Sequence, residues 1–168
     1  GKNDGIDSFI VADYVRAGRI NIEPWRGAQY LALQRLTRQR RHINEAIARE
    51  KNYVLNNVFL KFSEFALLSG EESPVSDKFS ATAEAILTEY KTTEDIANAP
   101  LKELIDFICA SGHGRFSDPD QVASLLQKAA RNSYRLDKAL YEPITTSIAC
   151  SFNCIRAFEK EQKALDKA

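Results

Sequence analysis

The chain has 168 residues, enough for one domain of ordinary size with a real core, and its 23 Lys+Arg and 23 Asp+Glu cancel. No global field therefore draws it to nucleic acid or to a membrane surface, and any such attraction has to be local. No apolar run approaches the ~18 residues of a membrane span, and an odd number of cysteines, Cys109, Cys150 and Cys154, with no secretory signal ahead of them, points to a soluble chain in a reducing cytoplasm without disulfides.

The first segment, Lys2-Asn3-Asp4-Gly5-Ile6-Asp7-Ser8-Phe9, carries two carboxylates three residues apart at the start of a helical pattern. Positions i and i+3 lie on one helix face with Cβ atoms roughly 5–6 Å apart, close enough for Asp4 and Asp7 to reach one hydrated Mg²⁺. The same residues also suit a plainer role: Asn3 or Asp4 as an N-cap and Asp7 as a favourable charge near the positive end of the helix dipole. The helix is expected from about Asp4 to Ala17, with Gly18 as its C′ residue.

Glu23-Pro24 sets proline at the first position of the next helix, and no breaker follows before Gly70. The spacing predicts one rod roughly 69 Å long. Its apolar residues repeat every eleven positions: Ala32, Ile43, Val54 and Phe65 form one row, with Leu36, Ile47 and Val58 four residues behind. Such a period is 3.67 residues per turn, a nearly straight or slightly right-handed packing seam. The half up to Lys51 is basic, with Arg35, Arg38, Arg40, Arg41, Arg49 and Lys51 opposed only by Glu45 and Glu50. The half beyond it, through Tyr53, Val58, Phe62, Phe65 and Leu68, is apolar on several sides and must be surrounded by other helices. Arg35, Arg38 and His42 share a face. Guanidinium groups match phosphate bidentately, so this cluster is a candidate nucleic-acid contact, unless its charge is balanced by acids on a partner helix.

Glu71 to Asp77 reads as a loop. Short helices are expected over 79–90, over 93–98 with Thr92 as N-cap, and over 100–110, stopping at Ser111-Gly112-His113-Gly114. That glycine-rich turn faintly resembles a helix-hairpin-helix DNA contact but is far more often a plain interhelical turn. Ser117-Asp118-Pro119 starts a last helical region running to the C-terminus, in which Pro143 should kink or interrupt the helix. Cys150 and Cys154 share a face, but two thiols without a nearby His or third Cys do not make a zinc site. Small buried hydrophobes are the expectation for them. The fold class is all-α: a long-helix, coiled-coil-like hairpin with a small helical insertion.

Lys2-Asn3-Asp4-Gly5-Ile6-Asp7-Ser8, followed by Ile10-Val11-Ala12-Asp13, resembles the Lys-x-Asp-x-x-Asp-Ala motif of the DEDD-type insertion-sequence transposases, the RuvC-like, bridge-RNA-guided recombinases of the IS110 family. The resemblance continues through Gly18-Arg19-Ile20, Pro24-Trp25, Leu36-Thr37-Arg38-Gln39-Arg40-Arg41, Ala48-Arg49-Glu50-Lys51-Asn52 and Leu126-Gln127-Lys128-Ala129-Ala130-Arg131. It implies that Asp4 and Asp7 are the third and fourth acids of the catalytic, Mg²⁺-binding set. Ser8 stands where the family usually has Ala. The first Asp, the Glu and the serine-bearing domain are expected to lie outside this chain. There is no Met, even at position 1, so Gly1 reads as a scar of tag removal and the chain as an interior piece.

On that resemblance, residues 1–22 are expected to be the tail of a RuvC-like catalytic domain and 23–70 the long helix of a coiled-coil spacer. Residues 71–118 would be a short-helix insertion and 119–168 a C-terminal region packing on the long helix. Implied partners are DNA, a guide RNA and a second copy of the chain, in a prokaryotic cytoplasm and away from membranes. The long rod outruns the chain available to cover it, which predicts a homodimer or higher homo-oligomer with Ile43 and Ile47 at the contact. The isolated piece is expected to be inactive. The rival reading is a non-enzymatic oligomerisation or adaptor module in which Asp4 and Asp7 merely cap a helix.

Overall fold

The computed structural model describes residues 4–19, 27–113 and 115–168. Among them every regular element is helical: α1 Asp4–Arg16, α2 Gly27–Lys61, α3 Ser63–Leu67, α4 Ala81–Glu89, α5 Thr93–Asn98, α6 Leu101–Gly112, α7 Pro119–Asn132 and α8 Lys138–Leu165, with a 3-10 turn at Gly70–Glu72. The all-α class expected from periodicity is the class observed. The chain divides into two compact units, Gly1–Gln39 and Arg40–Ala168.

In the first unit α1 ends as its sequence requires. Gly18 takes φ +64°, the Gly18 N–H donates to Val15 O at 3.1 Å and the Arg19 N–H to Tyr14 O at 3.2 Å. This is the Schellman pattern, which needs a residue without a Cβ penalty at C′. Arg19 lies over the Tyr14 ring. No residue of α1 is buried, although Ile6, Phe9, Ile10, Val11, Tyr14 and Val15 are all apolar or aromatic.

The second unit is built on an antiparallel pair, the Arg40–Lys61 part of α2 and α8. Arg40 meets Asp166, Asn44 meets Gln162 and Lys61 meets Thr145, so partner numbers on α8 fall in step as those on α2 rise. The hairpin expected from sequence is present here. Its inner faces supply Val54, Val58, Ile148, Phe152 and Ile155 to one core, closed by Phe62, Phe65, Ile86, Leu87, Leu104, Ile108 and Leu126. α7 is central to the rest: α3, α5 and α6 pack on it, while α4 packs on α6 and α8. Ala123, Ala129 and Ala130 of α7 are buried, and these small residues let neighbouring helices approach closely.

Three expectations are corrected. The long helix stops at Lys61 rather than near Gly70. Phe62 leaves the helical region at φ −147°, ψ 76°, and the Thr93 hydroxyl donates to Lys61 O at 2.6 Å, satisfying a carbonyl that the ending helix leaves unpaired. The turn lets both Phe62 and Phe65 enter the core, with ring centroids 5.2 Å apart. The last helical region breaks at 133–137, while α8 continues through Pro143. Two buried serines hold that break reciprocally: the Glu64 N–H donates to Ser133 Oγ and the Tyr134 N–H to Ser63 Oγ. Finally, Cys109, Cys150 and Cys154 are free and exposed, not buried hydrophobes. α6 ends on His113 in the left-handed region, and Gly112 is forced by packing, since a Cβ there would lie 2.4 Å from the Phe116 ring.

Candidate functional site

Asp4 and Asp7 occupy the first turn of α1 and both are exposed. The i, i+3 spacing sets them on one face, and the Ser8 hydroxyl donates to Asp4 O at 2.6 Å, fastening the same turn. Asp4 is already helical, so it is not the N-cap; Asn3, the other capping candidate, lies outside the described residues, as does Lys2. Neither carboxylate is engaged by another side chain among the described residues. Two exposed carboxylates supply hard oxygen donors of the type Mg²⁺ takes. No group of three or more His, Cys, Asp or Glu suited to a metal ion occurs among the described residues.

The basic residues separate into two kinds. In the first unit Arg35 and Arg38, one turn apart on α2, are exposed and enter no ion pair among the described residues. In the second unit Arg40 donates to Asp166 at 2.6 Å, which pushes its guanidinium pKa further up, first through the hydrogen bond and then through charge. Arg41 donates to Glu45 at 2.8 Å and holds that carboxyl below its ordinary range, with smaller help from Arg49 and His42. Lys51 stacks its ammonium over the Phe79 ring at 4.9 Å, a cation–π contact. The structure thus uses Arg40, Arg41 and Lys51 within the fold and leaves Arg35 and Arg38, of this cluster, without an ion pair among the described residues, with Arg49 and His42 exposed but facing Glu45 electrostatically.

Ile43 and Ile47 are not a free seam. Ile43 is only 6% exposed, and Ile47 is half-buried against the core. The C-terminal part of α8 covers them, because 28 residues of α8 reach back to Arg40. The premise that the chain is too short to flank this stretch of α2 is therefore overturned.

Sequence reasoning missed Lys61. It is 2% exposed, and its three ammonium protons go to Leu87 O at 2.7 Å, Tyr90 O at 2.8 Å and Thr145 Oγ1 at 2.7 Å. Burial pushes its pKa down to about 8, partly opposed by Asp95. It ties the end of α2 to α4, the α4–α5 turn and α8. The available signal was its position: Val54, Val58, Lys61 and Phe65 follow one helical stripe, so a cation sat on the core row.

Residues 1–62 match the family model of the DEDD transposases of the IS110 type, described as transposase. The match ends at Phe62, the residue at which α2 has just ended. No curated protein and no solved structure matches the chain. Among the described residues no helix is long and apolar enough to cross a membrane.

Proposed function

With residues 1–62 matching IS110-type DEDD transposase sequence, we propose that the chain is an interior piece of a DNA transposase that mobilises an insertion sequence. In this reading Asp4 and Asp7 form half of its metal-binding carboxylate set. The observation that carries the reading is their placement: two uncommitted carboxylates on one exposed helical turn, inside the matched segment and without further ligands beside them among the described residues. Asp4 and Asp7 would hold Mg²⁺ together with acids from elsewhere in the parent protein. A metal so bound stabilises the charge that builds on phosphate oxygens during strand cleavage and activates the attacking oxygen.

The exposed apolar side chains of α1 support the same reading. A helix apolar over most of its circumference is normally enclosed, and the remainder of a RuvC-like catalytic domain would enclose this one. Downstream, α2 and the helices after it act as the spacer, in which Arg35 and Arg38 contact phosphates of DNA and of a guide RNA. Self-association belongs to the first unit, where Leu33 is 62% exposed and Tyr30 45%, because Ile43 is spent inside the second.

In the full-length parent, Asp4→Asn and Asp7→Asn should each abolish Mg²⁺-dependent strand cleavage, a loss of at least about 100-fold, with unchanged helix content by circular dichroism. Full cleavage by both variants overturns the assignment. The isolated chain should neither cut nor join DNA and should bind Mg²⁺ weakly. Cleavage by it that disappears on Asp4→Ala would show that no outside acids are needed.

A further inference from the structure

A pocket of about 380 Å³ lies between the α4–α5 turn and the start of α8, lined among others by Lys91, Thr92, Lys138, Glu142, Thr145 and Thr146. Its chemistry is that of an anion site. Lys91, in the α4–α5 turn, and Lys138, the first residue of α8, both line it. Thr92 Oγ1 accepts from the Asp95 N–H, so its own proton remains available to a ligand. Behind the wall stands Lys61: Thr145 Oγ1 accepts from its ammonium and donates to Tyr141 O, linking the pocket surface to a buried cation through one hydroxyl.

That buried cation has no carboxylate at ion-pair distance among the described residues, since its three bonds go to two carbonyls and a hydroxyl. An interior charge answered only in part, by Asp95, is costly, and a further counter-charge one hydroxyl away relieves it. Of the charged residues that line the pocket, Lys91 and Lys138 outnumber Glu142, while Lys61 lies behind its wall and is answered in part by Asp95. Hydroxyl and ammonium donors lining one pocket suit an oxyanion with several acceptor oxygens, and the volume leaves room for an organic group attached to it.

We propose that this pocket binds a phosphate group, as free phosphate or as the phosphomonoester end of a small ligand such as a mononucleotide. The reading is independent of the transposase assignment, since every residue that lines the pocket lies beyond the matched segment and only Lys61, behind its wall, lies within it. The test titrates inorganic phosphate and, separately, adenosine 5′-monophosphate into the full chain at fixed ionic strength, following ³¹P shifts and line widths. Saturable binding in the millimolar range or tighter is expected, weakened at least about fivefold in a Lys91→Met/Lys138→Met variant. Both substitutions are on the rim, so folding should survive, and unchanged circular dichroism checks this. Tighter binding of the nucleotide identifies the attached group as part of the ligand; equal binding identifies phosphate itself. No saturation with either compound up to about 10 mM, or equal affinity in the variant, overturns the proposal.

Discussion

α1 and α7 are helices of similar length, 13 and 14 residues, and they use apolar residues in opposite ways. α7 buries Ala123, Leu126, Ala129 and Ala130, with Val122 and Leu125 half-buried beside them, where α3, α5 and α6 pack on it. α1 distributes larger residues around its circumference and buries none. Burial therefore follows arrangement and available neighbours rather than hydrophobicity of the segment alone. The second unit has a finished core, whereas α1 carries a surface whose complement is not among the described residues.

The sharpest way to break this comparison is to remove comparable side chains from each region. Phe62→Ala or Leu126→Ala should cost about 3–5 kcal/mol of stability, because each leaves a cavity in a closed core. Phe9→Ala, at a site 74% exposed, should stay within about 0.5 kcal/mol. Urea unfolding of the three variants decides it. A Phe9→Ala loss of core size would mean that α1 is packed within this chain after all.

Ile43 provides the next test. Because it is buried by its own chain, Ile43→Asp should lower stability by about 3 kcal/mol without converting a dimer into a folded monomer. Light scattering together with denaturant unfolding separates the two outcomes. A fully stable monomeric variant would restore Ile43 to a contact between copies.

Lys61 tests how the core tolerates a cation. Its folded pKa, about 8, lies below that of an unfolded lysine, so between pH 8 and about 10 the unfolded chain holds the extra proton. Folding stability should therefore rise with pH across that window, by on the order of 1–3 kcal/mol relative to a Lys61→Met variant measured in parallel. Below pH 8 the ammonium is charged in both states and the difference should be flat. A difference that falls from pH 8 to 10 would mean that the three hydrogen bonds outweigh desolvation.

Local chemistry was legible in the sequence. Gly18 closes α1, and Thr92 caps α5 in a capping box with Asp95. Asp118 caps α7, and the eleven-residue row beyond Ala32 packs as Ile43, Val54 and Phe65. What escaped is tertiary. The stop at Lys61 depends on a hydroxyl 32 residues away, and the break at Ser133 depends on an exchange with Ser63. Neither leaves a Gly or Pro to mark it. The burial of Ile43 required the true length of α8, which Pro143 concealed because a proline near the start of a helix forfeits few backbone bonds. For the candidate metal site, the Asp4–Asp7 spacing was readable, while the engagement of Arg40, Arg41 and Lys51 with Asp166, Glu45 and Phe79 was only partly so: Glu45 lies one turn away, but the other two partners are distant in the chain.

That division of the cations gives the smallest and most selective effect. If Arg35 and Arg38 contact phosphates, affinity for duplex DNA or structured RNA should fall linearly with salt on a log–log plot, and Arg35→Gln/Arg38→Gln should reduce the slope by about 2. Sequence preference should hardly change, because phosphate contacts position rather than specify. Arg40→Gln should leave the slope unaltered, since that guanidinium is already committed to Asp166. Filter binding across a salt series measures all three proteins on one scale. If Arg40→Gln changes the slope as much as the double variant does, the intramolecular pair yields to nucleic acid, and the contact surface extends along α2 into the second unit.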